Sequence, residues 1–408
     1  MNLPHVKIAF ANGELQAINT GSDGVLGIVA TAAAVSGKFE LNNPYQLRSM
    51  IDVANLGIVK GSVDNGRLYK ALAEFYAEAG EGSELWIMGM DASIKVSEWF
   101  TPDGVTGIVP VQKLLDGAQG KINGIITCYN NTTAPTVLNG LGDDVITAAN
   151  TAQSFAEDYT NRKYAPFFVI LEGWGFSGTI TDLPDLATYN YNRVAILIGD
   201  TEKQTQTGFT NYGSAVGILA GRISKNSVHV NIGRVLDGAL SNTYAYVLDE
   251  AAELFDFEGL NDKGYLCFRF HQSKAGYYFS DDHLATAVED DYHFLTRRRT
   301  IDKAYRVAYN ILLDYLLDTV PINSDGSIQV PWIKSVEGSV ENGIAARMTA
   351  HGELSADSTL VDDKGVKCFV DPNQDVAANG ELAIVVQVRP YGYARYIEVK
   401  LGFTINNE

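Results

Sequence analysis

Three groups of side chains in this 408-residue sequence have types and spacing that could do chemistry. The first is Arg297-Arg298-Arg299, which opens a long amphipathic segment. Positive charge at a helix N-terminus opposes the macrodipole, so this placement asks for an outside anion or a carboxylate partner. Asp281, Asp282 and Glu289 lie close upstream, and pairing with them inside the chain is the plainer reading. The second group is Gly173-Trp174-Gly175-Phe176-Ser177-Gly178, which fits GxGxxG, follows an apolar run at 167–171 and has Asp200 downstream. In a dinucleotide site such glycines let a pyrophosphate approach a helix N-terminus. Here only about fifteen residues, interrupted by Pro184, precede the next strand, so a crossover helix has little room. A glycine-rich loop is the better reading, and a nucleotide-binding α/β enzyme is the alternative. The third group is Asp281-Asp282-His283 with Glu289-Asp290-Asp291-Tyr292-His293. Carboxylates and histidines bind divalent metals, but this spacing matches neither an EF-hand loop nor a zinc motif. A solvated acidic loop, or an acidic partner for the arginines, fits better. HExxH, GxSxG and the P-loop pattern are absent, and His229, His271 and His351 are isolated. The sequence therefore assigns no catalytic residue, no cofactor and no metal.

The elements that carry these groups follow from periodicity. Ile301, Ala304, Tyr305, Ala308, Ile311, Leu312, Tyr315 and Leu316 recur at helical spacing, with Pro321 beyond them, which predicts a helix over 300–317. Its polar side carries Arg299, Lys303, Arg306, Asn310 and Asp314. Upstream, apolar runs at 25–29, 85–88, 122–128, 167–171 and 194–198 alternate with helical patterns. One such pattern is Leu68, Ala71, Leu72, Phe75 and Tyr76, closed by Gly80 and Gly82. Another follows Asp143, a candidate cap. A third, 213–222, repeats glycine every four residues, which suits close packing of a helix on a sheet. Continuous apolar strands separated by helices predict an α/β domain over 26–256 with a largely parallel sheet. From 257 the pattern shifts to strands at 265–270 and 277–278, the arginine-led helix, and a β-rich stretch after Pro331. This predicts an α+β domain over 257–380.

The ends read differently. Val6, Ile8 and Phe10 alternate like a strand set apart from the core, in an N-terminal arm over 1–25. Residues 381–408 carry two strand patterns, Leu382-Ile384-Val386-Val388 and Ile397-Val399-Leu401-Phe403, with a turn at Pro390-Tyr391-Gly392. Extended β-strand arms are thus expected at both termini.

Composition sets outer limits. Hydrophobic residues make up 46% and charged residues 20%, as in an ordinary folded domain. A net charge of −18 argues against a general nucleic-acid binder. The cysteines Cys128, Cys267 and Cys368 are far apart, without CxxC spacing, and read as reduced thiols. The start of the chain shows no signal-peptide pattern, and no apolar run reaches the ~20 residues that span a membrane.

Several stretches, taken in order, resemble the contractile tail sheath proteins of phages and related injection machines. The block from Phe39 to Ile87 is similar to the sheath N-terminal pattern of apolar block, helix, glycine pair and strand. GSAVGILAGRIS (213–224) resembles the small-residue sheath helix, and LNDKGYLCFRF (260–270) resembles the strand opening the sheath C-terminal domain. Tyr292 to Leu317 resembles the sheath strand-to-helix junction, with Arg297 to Arg299 at its arginines. The chain departs at Phe279-Ser280-Asp281, where sheaths carry Arg-Thr, and lacks the proline-alanine pair near 230–235. The resemblance is to a divergent, compact sheath.

It implies a structural subunit, not an enzyme, that polymerises as a helical cylinder around an inner tube and contracts to drive it through an envelope. The implied partners are further copies of itself, the inner tail tube protein, and baseplate and tail terminator proteins, with no nucleic acid and no membrane insertion. The implied location is a virion tail assembled in the bacterial host cytoplasm. It gives Val6, Ile8, Phe10, Ile397, Val399, Leu401 and Phe403 to inter-subunit arms that add strands to a neighbour. It gives Arg297, Arg298, Arg299, Lys303, Arg306, Asn310 and Asp314 to contacts with the tube or another subunit. A non-contractile structural virion protein is a further alternative.

Overall fold

The computed structural model describes residues 23–402 apart from 132, 207 and 208. The arm residues Val6, Ile8, Phe10 and Phe403 lie outside the described residues.

The first half of the chain builds a twisted sheet from β1 (Leu26–Thr31), β2 (Tyr45–Leu47), β3 (Leu85–Met90), β4 (Gly124–Cys128), β5 (Phe168–Glu172) and β6 (Val194–Leu197). The order is β2-β3-β1-β4-β5-β6, parallel throughout except for β2 at the edge. Every residue of β1, β4, β5 and β6 is buried, which is why these strands read as unbroken apolar runs. The parallel order is that of a doubly wound fold, whose strand sequence reverses beside β1. Leu266 extends the sheet by bridging Leu197 in parallel at the β6 edge.

Helices cover this sheet. They are α1 (Met50–Asn55), α2 (Gly66–Ala79), α3 (Val96–Trp99), α4 (Pro110–Gly117), α5 (Val145–Lys163) and α6 (Val216–Lys225). The glycine repeat in α6 has a different partner from the one its spacing suggests. A side chain at Gly217 would collide with the backbone of Ala71, and one at Gly221 with Phe75 O at 2.8 Å. Both belong to α2, so the repeat lets helix lie on helix rather than helix on sheet. Asp143 does not cap α5; its carboxylate pairs with Lys95 at 2.9 Å.

Past the sheet, α7 (Phe257–Asp262) leads to an antiparallel pair, β7 (Phe268–Phe270) and β8 (Tyr277–Phe279). Tyr265, Leu266, Phe268, Phe279 and Leu284 still belong to the sheet's core. A second core gathers Val228 and residues from Tyr292 onward. It packs α8 (Leu295–Leu313) against α9 (Val330–Arg347) and a hairpin of β9 (Val366–Val370) and β10 (Ile384–Val388). Helix α9 replaces the β-rich stretch expected after Pro331. Ile333, Val336, Val340 and Ile344 form its buried stripe, Pro331 sits in its first turn, and Gly343 admits Ile311 of α8 at the helix crossing. Among the described residues, no helix is long and apolar enough to cross a membrane.

Candidate functional site: the arginine-led helix and the arm root

The start of α8 has the carboxylate that its charge pattern requires. Asp282, fully buried, accepts from Thr296 N at 2.7 Å through its side chain and from Leu295 N at 2.7 Å through its carbonyl. An anion there meets the free N–H groups and the positive end of the dipole. Asp282 serves the helix backbone, and the three arginines go elsewhere. Arg297 reaches only the Asp291 carbonyl at 3.5 Å and flanks the Phe294 ring. Arg298 pairs with Asp302 one turn on, at 2.7 Å, and lies 4.3 Å from the centre of the Tyr292 ring. Asp302 also holds Arg193 at 3.2 Å. Arg299 donates to the carbonyls of Ile223 (3.0 Å), Asn226 (2.7 Å) and Ser227 (3.4 Å). Those carbonyls end α6, where a cation is favoured.

The polar side of α8 also faces inward. Lys303 bridges Asp23 and Glu353, the latter at 2.5 Å. Arg306 is 3% exposed and donates to the carbonyls of Ile122 (2.9 Å), Gly120 (3.3 Å) and Pro166 and to Asn123 Oδ1. These oxygens lie just ahead of β4 and β5, where strand ends leave backbone groups unpaired. Burial pulls both Arg299 and Arg306 down to about 10. This corrects the sequence reading: Arg298, Arg299 and Arg306 are buried in the chain and cannot be offered to a tube, and Lys303 is nearly so. The reason is that α8 has two packed sides. Its apolar stripe meets α9, while its guanidinium groups satisfy loop carbonyls of the sheet domain. Arg297 and Asn310, half-buried, and Asp314, exposed at the helix end, keep an outward aspect.

After β10 the chain crosses back to the start of α8. Tyr393 Oη donates to His229 O. Arg395 then fastens the segment: its Nε lies 2.8 Å from Asp281 Oδ2, an Nη 3.1 Å from Asp282 Oδ1, and its guanidinium stacks 3.4 Å from the Phe294 ring centre. Asn231 donates to both carboxylates, at 2.6 and 2.7 Å. Burial and the neighbouring Asp281 charge push Asp282 up to about 7. His283 and His293 touch at 3.1 Å beside this pair, and burial lowers both. Among the described residues no group of side chains could hold a metal ion.

Past Arg395 the support ends. Tyr396, Ile397, Val399 and Leu401 are 93%, 78%, 68% and 94% exposed, and among the described residues 396–402 have no ladder partner. Among the described residues β10 pairs with β9, and 397–402 form no hairpin with it. The β9–β10 ladder has two strands, with Val366, Cys368, Val370, Val386 and Val388 inward and Phe369 and Val385 outward.

The carboxyl ends of the sheet strands carry a network that sequence reasoning missed. Arg67 of α2 pairs with Glu172 and reaches Asp200 at 3.5 Å, while Lys70 joins Asp200 (2.5 Å) to Glu74 (2.8 Å). In doubly wound sheets this edge is where ligands bind, and here the chain's own side chains fill it. The adjoining cavity, lined by Gly173, Asp200, Asn211 and Ser214, holds about 30 Å³, far below the ~300 Å³ of a small-molecule site. The Gly173–Gly178 loop runs into a three-residue 3₁₀ turn at Ile180–Asp182, not into a helix. Gly173 is explained by packing, since a side chain there would meet Ile198 and Leu197 O at 2.5 and 2.9 Å.

A doubly wound sheet joined to a second helix-and-hairpin core is the fold shared with chains of solved contractile-system sheath assemblies. It is similar to a chain of the cryo-EM structure of the "anti-feeding prophage (AFP) helical sheath in contracted state" (TM-score 0.62, 16% identity, 100% of each chain). It is also similar to a chain of the extracellular contractile injection system "PVC sheath complex in contracted state" (TM-score 0.62, 13% identity, 99% of this chain and 98% of that one). A chain of the "anti-feeding prophage (AFP) baseplate, 6-fold symmetrised" gives a TM-score of 0.64 at 14% identity, over 99% and 100% of the two chains. The protein belongs to the DUF2586 family, matching its N-terminal domain over residues 3–283 and its C-terminal domain over 291–408. No curated protein matches the sequence.

Proposed function

We propose that this chain is a structural subunit of a contractile tail sheath, polymerising with copies of itself around an inner tube and shortening to drive that tube through an envelope. The observation that carries the reading is the combination of a sheath fold over the whole chain with an exposed segment after Arg395 whose apolar residues alternate as a strand's would. Such a strand suits addition to a neighbour's sheet, where backbone hydrogen bonds give affinity and alternate side chains give register. The two-stranded β9–β10 ladder offers an edge of the right kind. Burying four large apolar side chains contributes on the order of 6–12 kcal/mol before ordering costs, enough to keep subunits joined while a lattice rearranges. A heterologous contact of this sort gives a ring where its rotation closes and a helix where it does not.

On this reading Val6, Ile8 and Phe10 at one end, and Ile397, Val399, Leu401 and Phe403 at the other, form the inter-subunit arms. Tube contact falls to polar groups with an outward aspect, such as the exposed Asp314 and the half-buried Asn310. The tube, the baseplate and a terminator are the partners, without nucleic acid, in a tail assembled in the host cytoplasm. No enzymatic step is assigned, and contraction draws on the energy of the extended lattice. Negative-stain microscopy of the purified chain tests the reading. Hollow cylinders or stacked rings are expected. A protein that stays monomeric at high concentration and binds a dinucleotide overturns it.

A further inference from the structure

We propose that Arg395 is the positioning residue of the C-terminal arm: seated between Asp281, Asp282 and Phe294, it fixes the point and direction at which the arm leaves the subunit. The arm's role rests on the sheath reading above; the anchor itself rests on geometry alone. Upstream, the chain belongs to the second core, where Val386 and Val388 are buried. Downstream, Tyr396 to Leu401 carry four large apolar side chains that are more than two-thirds exposed. Between them Arg389 to Gly392 and Ala394 are exposed, and Tyr393 and Arg395 are the half-buried points at which the segment touches the body of the chain.

The seat is built from elements of both cores. Asp281 and Asp282 follow β8 and Asn231 follows α6, while Phe294 immediately precedes α8. Its chemistry matches an arginine rather than a generic cation. The two carboxylates take separate nitrogens of one guanidinium fork, and an aromatic face lies against its plane. Asn231 holds both carboxylates from the far side and is itself fixed by Gly233 N at 2.8 Å. Asp282 gives its second oxygen to Thr296 N. Tension on the arm therefore reaches the first turn of α8 through one side chain. The Arg395 side chain is 21% exposed, so the seat is a socket open on one side, and the arm enters it without unfolding either core.

Chymotrypsin digestion of the full-length monomer tests the anchor, because Tyr393 and Tyr396 flank it. The wild-type chain is expected to be cut first after Tyr396, with Tyr393 protected. In Arg395→Ala, cutting after Tyr393 is expected to accelerate about tenfold or more, as a loosened segment opens locally. Arg395→Lys, which keeps charge but loses the fork and the stacking, falls between. Phe294→Leu, which leaves both carboxylates in place, gives a smaller rise in the same direction. Unchanged protection of Tyr393 in Arg395→Ala overturns the anchor. The assembly arm tests positioning: Arg395→Ala is expected to lower the yield of cylinders while the monomer's melting transition stays cooperative. Loosened Tyr393 with undiminished cylinders overturns the positioning role and leaves the sheath reading intact. Wild-type protein that never assembles overturns the sheath reading, while proteolysis still decides the anchor.

Discussion

Replacing Arg306 with alanine separates two accounts of α8. If its charge were displayed to a partner, Arg306→Ala would leave the monomer's stability unchanged and weaken assembly. The structure requires the opposite. The guanidinium is buried and serves Ile122 O, Pro166 O, Gly120 O and Asn123 Oδ1, of which the first two bonds are fully buried. Alanine orphans those two carbonyls at about 1–3 kcal/mol each. It also removes the aliphatic stem that fills the seam, and regains part of the cost of burying a charge. The net expectation is a loss of about 3–5 kcal/mol, a large share of the ~5–15 kcal/mol that holds a domain together. Urea unfolding of the monomer, followed by tryptophan fluorescence, reads it directly. Asp314→Ala, at the exposed helix end, is the control and leaves the midpoint unchanged. A loss below about 1 kcal/mol for Arg306→Ala, together with abolished assembly, would refute the assignment of α8 to the seam between the two cores.

Further tests address the remaining parts. Asp282 sits at about 7 in the fold against an ordinary 3.8, so between those values the folded chain holds one more proton than the unfolded one. Its contribution to stability therefore falls as pH rises through that window, by up to about 1.4 kcal/mol per unit, and is level above it. Asp281, Arg395, Tyr393, His283 and His293 face the same site, and the lowered histidines oppose this slope. The Asp282 term is isolated as wild type minus Asp282→Asn, measured from pH 4.5 to 8; a flat difference refutes it. Truncation after Tyr396 should leave a folded monomer and abolish cylinders, and assembly at unchanged yield counts against the arm. Gly217→Val should cost about 1–3 kcal/mol by overpacking α6 on α2; a neutral result would mean that the two helices slide apart at no cost.

The sheet domain was legible because its strands are apolar without a break and its helices carry periodic stripes. Those signals are local, and they point to a parallel sheet covered on both faces. The misses share a different cause. Helix α9 hides because valine, serine, Gly338 and Gly343 lower its propensity, while tertiary burial of Ile333, Val336, Val340 and Ile344 outweighs that deficit. The register of 382–388 was readable as a strand, but its partner was not. Val366 to Val370 and 397–403 are equally good alternating patterns, and only packing on α9 selects the first. The α8 arginines misled because charge on a helix face ordinarily means solvent. Nothing in sequence spacing shows that carbonyls of residues 120–123, 166 and 223–227 converge on them from distant loops. The Arg67–Glu172–Asp200 network is equally invisible, since Arg67 lies more than a hundred residues along the chain from both carboxylates.

The placement of these charges bears on how a contracting lattice could work. A subunit that survives a large rearrangement must keep its own cores rigid and confine compliance to its links. In this chain the rigid part is joined across its two cores by Arg299, Lys303 and Arg306, all on one helix and all turned inward. The exposed terminal segment follows from Tyr396. Between them stands Asp282, which holds the first turn of α8 with one oxygen and the arm's Arg395 with the other. On the proposed anchoring, a pull on the arm reaches Asp282 and, through it, the first turn of α8. If instead the arm emerged from the β9–β10 hairpin without returning to α8, the same pull would peel a two-stranded ladder that is marginal by itself. The return of the chain to Asp281 and Asp282 is what prevents that, and Arg395→Ala is the single change that restores the weaker route.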